Sequence, residues 1–170
     1  MLVVELAALF HDLFDAKYTS INTKEELDIA SWLLANGVGE SQNSLILKII
    51  ANVSYSKEIV LRERGQWTQW HENCIELHCV MDADKLDALG AFGIFRCAAF
   101  SGSRNIPLYL PEDDETYKKC AVGHFGDKLF RLEGMMMTDV GRKVAKRRTA
   151  IMREIVKNIK DEQQLLDFET

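Results

Sequence analysis

Apolar residues recur along most of this chain at spacings of three and four, the period of helices packed along one face. Residues 2 to 14 place Leu2, Leu6, Leu9, Phe10 and Leu13 on one such stripe. Thr23-Lys-Glu-Glu26 is a capping box and predicts a helix through about Asn36, carrying Leu27, Ala30, Trp32, Leu33 and Leu34. Gly37 supplies a left-handed stop. A third helix starts at Ser41 or Asn43 and buries Leu45, Ile46, Ile49, Ile50 and Val53. Residues 54 to 66 are polar and charged, a loop or a short helix ending at Gly65.

Beyond it, Ile75, Leu77, Val80, Met81, Leu86, Leu89, Ile94 and Phe95 predict one long helix from about Trp70 to Phe100. Gly90 and Gly93 each cost such a helix about 1 kcal/mol relative to Ala. Small residues there also let another helix or a ligand approach closely. Residues 101 to 114 are irregular and hold both prolines, Pro107 and Pro111. Two further helices are expected, roughly 115 to 133 and 139 to 165. The second has Val140, Val144, Ile151, Ile155, Val156 and Ile159 on its apolar side. The expectation is an all-α protein, about six helices around one core, with 1–170 forming a single domain.

Composition narrows this little. A chain of 170 residues can bury a sizeable core. A net charge of −5 gives no reason to expect nucleic acid or an anionic membrane as a bulk partner. No apolar run is long enough for a membrane span. The apolar start lacks a basic leader and a cleavage site, so it reads as a core helix and not a signal peptide. Cys74, Cys79, Cys97 and Cys120 form no C-x-x-C pair and read as reduced thiols of an intracellular protein, cytoplasmic or nuclear. The oligomeric state is left open.

The chemistry is carried by two segments. His11 and Asp12 end the first apolar run, and Asp84 and Asp87 lie one turn apart in the acidic stretch Met81-Asp-Ala-Asp-Lys-Leu-Asp87. An imidazole with carboxylates suits a divalent ion that keeps open positions for water and a phosphate oxygen. The plainer reading of the same residues is a helix cap and a solvated acidic face. Against it, Leu89-Gly-Ala-Phe-Gly-Ile94 follows at once, so the carboxylates border a segment expected to be buried.

The segments Leu6-Ala-Ala-Leu-Phe-His-Asp-Leu-Phe-Asp-Ala-Lys17 and Val80-Met-Asp-Ala-Asp-Lys-Leu-Asp-Ala-Leu-Gly-Ala-Phe-Gly-Ile-Phe-Arg96 resemble the HD-domain metal-dependent phosphohydrolases, in particular their small stand-alone branch. Ile49-Ile-Ala-Asn-Val-Ser-Tyr55, His124-Phe-Gly-Asp-Lys-Leu129 and the stretch from Met135 to Arg148 resemble it as well. The resemblance implies an HD-domain-like helical bundle and hydrolysis of a phosphate ester or anhydride by a metal-activated water. It implies a nucleotide or small phosphorylated metabolite as substrate, and Mg²⁺, Mn²⁺ or another transition ion as cofactor. It places His11, Asp12 and Asp84 as metal ligands. The family pattern also has a first ligating His on an upstream helix. Only ten residues precede His11, so an N-terminally shortened domain is expected. The competing expectation is a catalytically impaired domain kept as a binding or interaction module.

Further candidates have two readings each. Asp15 and Asp87 suit a general base or a group orienting the metal ligands, or else a cap or ion pair. Lys85, Arg96 and Lys17 suit substrate phosphate, with Lys17 also readable as a surface lysine. His124 is a packed histidine or a pocket proton donor. His71 and His78 do not fall on the Asp84 face of a helix. The basic run Arg142, Lys143, Lys146, Arg147, Arg148, Arg153, Lys157 and Lys160 is a solvated helix face or a grip on a polyanion. Met135 to Met137 read as adaptable packing.

Overall fold

The computed structural model describes residues 1–13 and 28–166, with side chains to residue 163. The described residues are helical and irregular, with no strand among them, so the all-α expectation holds. They divide into two compact units, Met1–Asp84 and Lys85–Thr170.

In the first unit, α1 (Leu2–Phe10) and α2 (Ile29–Ala35) both pack on α3 (Glu40–Ile50). Then come α4 (Tyr55–Glu63), α5 (Gln69–Asn73) and the start of α6 (Ile75–Asp87). The core includes Ala7, Phe10, Leu33, Ile46, Ile49, Leu77, Val80 and Met81. The buried face of α1 is Ala7 and Phe10, with Leu6, Val3 and Val4 packed partly against the core. Leu2, Leu9 and Leu13 are 47%, 69% and 44% exposed, so the predicted stripe is rotated from the real one.

The predicted capping box at Thr23 to Glu26 lies outside the described residues. The described helix opens after Asp28, whose carboxylate accepts from the Ser31 N–H at 3.2 Å. Asn43 does not cap α3. It is buried within the helix and its Nδ2 donates to the Ala30 carbonyl at 3.2 Å, tying α3 to α2. Residues 55–63 are helix and not loop, and Gly65, at φ +64°, follows the last turn as expected.

The predicted helix over 70–100 is three helices, α5, α6 and α7 (Gly90–Ser103). Cys74 is extended between the first two, at φ −81° and ψ 95°. Leu89 is extended and Gly90 stands at φ +80°, a left-handed turn that L side chains rarely make. Gly93 is needed for a different reason. A Cβ there would lie 2.3 Å from the Ala88 carbonyl oxygen, so the turn closes on a residue with no side chain.

In the second unit α7 packs on α9 (Asp139–Leu166) and α8 (Ala121–Asp127). The predicted helix 115–133 is a 3₁₀ turn at Tyr117–Lys119, then α8, then a second 3₁₀ stretch at Leu129–Met135. Cys120 caps α8 by accepting from the Gly123 N–H at 3.2 Å. Along α9 the buried positions are Gly141, Ala145, Thr149 and Met152. Val140, Ile151 and Ile155 stay 72%, 44% and 37% exposed, because the buried stripe runs through Gly141, Ala145, Thr149 and Met152 instead.

Candidate metal centre

The packing of α1 fixes where His11 sits. Phe10, 8% exposed, meets the Trp32 ring edge-on with centroids 5.5 Å apart, and His11 follows as the helical C-cap. Its Nδ1 lies 2.7 Å from the Ala8 carbonyl oxygen. A carbonyl can only accept, so Nδ1 carries the proton and the ring is oriented by its own helix.

The other nitrogen, Nε2, faces carboxylates. It stands 3.4 Å from Asp12 Oδ1 and 3.5 Å from Asp84 Oδ1, and it is buried without a hydrogen-bond partner. Asp84 arrives from α6, three and seven residues beyond the buried Met81 and Leu77, so the core contacts of that helix carry it to His11. Asp84 and Asp12 side chains are 34% and 52% exposed.

These distances exceed those of a proper N–H···O bond. A neutral imidazole would present a lone pair to two anions, which is repulsive. A proton on Nε2, or a cation held among the three groups, removes the conflict. Donors bound at about 2.1 Å to one ion stand roughly 3.0–3.4 Å apart, close to the spacing seen. Nitrogen with two carboxylate oxygens is also a suitable donor set. The centre is gathered but not closed. Among the described residues, no three His, Cys, Asp or Glu side chains are set as a ready metal cluster. Rotation of the exposed Asp12 and the partly buried Asp84 carboxylates is the movement that closing requires.

Each of the other candidates has surroundings of its own. Asp15 and Lys17 lie outside the described residues. Asp87 is ion-paired with Arg96, both more than half exposed. Lys85 is 2% exposed. His124 is half-buried on α8, and burial, then the Lys128 charge, holds its imidazole below the usual histidine range. His71 and His78 have structural work. His71 Nδ1 accepts from the Thr68 N–H at 3.1 Å, and His78 Nε2 donates to the His71 carbonyl at 2.7 Å.

Two features escaped the sequence reading. Asp82 is a carboxylate only 3% exposed, two residues before Asp84. Its signal was a charge next to the apolar pair Val80-Met81. Within the second unit, a cleft of about 670 Å³ is lined by Gly90 and Phe92 of α7 and by Lys143, Arg147 and Arg148 of α9. The basic run was visible in the sequence, but not the cleft that gathers part of it.

No family model matches the chain. It is 34% identical over 170 residues to YpgQ of Bacillus subtilis (strain 168), covering all of this chain and 77% of that protein. The crystal structure of B. subtilis YpgQ in complex with ADP superposes with a TM-score of 0.74 at 30% identity, over 95% of this chain and 76% of that one. An HD-superfamily hydrolase from Bacillus thuringiensis superposes with a TM-score of 0.70 at 30% identity, over 95% and 73%.

Proposed function

The chain belongs to the YpgQ family within the HD superfamily, and from that premise we propose that it hydrolyses a phosphate ester or anhydride with a divalent ion held by His11, Asp12 and Asp84. The observation that carries the reading is the His11 ring. Its proton is committed to Ala8 on one side and its buried Nε2 faces two carboxylates on the other. The chemistry a divalent ion supplies in such a centre is Lewis acidity, which polarises a phosphoryl oxygen and acidifies water at neutral pH.

The residues of the chain do the rest. Ala8 fixes the tautomer, so no proton must leave Nε2 before it can ligate. The exposure of Asp12 and Asp84 leaves the centre open to an incoming phosphate. Asp15 or Asp87 would align the attacking water, Lys17, Lys85 and Arg96 would offset phosphate charge, and His124 would donate a proton. Chemistry and family likeness support these roles. The substrate we propose is a nucleotide or small phosphorylated metabolite, supported by the ADP complex of the B. subtilis relative. In this reading residues 1–170 work as one HD-type domain. Among the described residues, no helix is long and apolar enough to cross a membrane.

A second reading has an observation of its own. The spacing of His11, Asp12 and Asp84, gathered at 3.4 and 3.5 Å but not closed, also fits a domain that binds without turning over. Equilibrium dialysis with Mn²⁺ and Mg²⁺, followed by phosphate release from a panel of nucleotides and phosphomonoesters, separates the two. The hydrolase reading expects a bound ion and release that is lost in Asp84→Ala. Release that survives in that variant would refute it, and no bound divalent ion would favour the binding module.

A further inference from the structure

We propose that the cleft of the second unit is a binding site for a polyphosphate chain, formed without the help of a metal. This goes beyond the hydrolase reading and does not rest on it. Lys143 and Arg147 are one turn apart on α9 and Arg148 is next to Arg147, so three cations converge on one cavity. Among the described residues neither Lys143 nor Arg147 has an ion-pair partner. Like charges one turn apart repel, and the whole chain has a net charge of −5. An anion in the cleft removes that repulsion.

Arg148 is held firmly in place. Its Nη1 donates to the Leu86 carbonyl at 2.6 Å, and its methylenes lie where a side chain on Gly90 would be, 3.0–3.3 Å from that Cβ position. One of its five N–H donors is used, and the others remain for a ligand. The first turn of α7, at Gly90, lines the same cleft and has no side-chain cap, so helix N–H groups add to the positive field. Asp87 also lines the cleft, and its charge is offset by Arg96.

One helical turn separates Lys143 from Arg147 by about 6 Å along the axis, more than a single phosphate spans and suited to two or three linked ones. The cleft is larger than such a chain, and Phe92 stands 81% exposed at it. The polyphosphate can therefore be inorganic or carried by a nucleoside, whose base would lie against Phe92.

The experiment is isothermal titration of the full chain in EDTA with pyrophosphate, tripolyphosphate, ADP and adenosine. Saturable binding of the phosphorylated ligands is expected, weakening as salt is raised. The double variant Lys143→Ala/Arg147→Ala changes only exposed side chains and should bind at least tenfold more weakly, with an unchanged circular dichroism spectrum. ADP binding tighter than pyrophosphate, with the difference erased in Phe92→Ala, identifies a nucleotide as the source. Equal binding identifies inorganic polyphosphate. Asp84→Asn should not weaken this binding, so failure of the metal centre and failure of the cleft are separable. No saturable binding, adenosine binding as tightly as ADP, an unaffected double variant, or loss of binding in Asp84→Asn would each overturn the proposal.

Discussion

Replacing Asp84 with Asn should act in opposite directions with and without a divalent ion. The Asp12 and Asp84 oxygens lie 3.4 and 3.5 Å from the same ring nitrogen, so they are at most about 6.9 Å apart. Two unit charges at that distance repel by about 0.6 kcal/mol in water and about 2.4 kcal/mol at an effective dielectric of 20. The side chains are 52% and 34% exposed, which screens them and puts the cost near 1 kcal/mol. Asn keeps the shape and removes the repulsion. In EDTA the variant should therefore melt about 2–4 °C higher than the parent.

With an ion at a hundred times its dissociation constant, the parent should gain about 2.7 kcal/mol. For a chain of this size that is roughly 5–10 °C. The variant, with one of three ligands replaced by a weaker neutral one, should gain little. Scanning calorimetry in EDTA and in excess Mn²⁺ reads both. A lower melting temperature for the variant in EDTA would refute the reasoning, because it would make Asp84 the ion-pair partner of a protonated His11. Equal stabilisation of both proteins by Mn²⁺ would place the ion elsewhere.

Gly90→Ala forces a side chain to φ +80° and against Arg148, and should destabilise by about 1–2 kcal/mol from the backbone alone, seen as a lower urea midpoint. Asn43→Ala removes the bond to the Ala30 carbonyl and should cost about 1–2 kcal/mol in the same measurement. His124 has a depressed imidazole pKa in the folded state, so the unfolded chain binds more protons below the ordinary histidine value. Its effect is to lower stability as pH falls below about 6.5. His124→Gln should flatten the fall in melting temperature from pH 7 to 5, and an unchanged slope would assign the effect to other groups.

The sequence made the helical class legible because spacing of apolar residues is a local property, read without knowing any partner. It also made His11, Asp12 and Asp84 legible as a set. Side-chain chemistry narrows what such residues can do, and the family resemblance joined two segments more than seventy residues apart. Tertiary structure decided the rest. Whether Gly90 continues a helix or turns it depends on φ, which composition does not state, and the answer was a left-handed turn with Arg148 against it. Which face of α9 is buried depends on what packs there, and the face carrying Ala145, Thr149 and Met152 was buried while Val140 and Ile151 stayed exposed. The orientation of His11, with Nδ1 bound to Ala8 and Nε2 between two carboxylates, exists only once α1 and α6 are packed around one core. A sequence names which groups are available for chemistry, while distance and burial decide whether they meet, because both depend on residues far apart in the chain.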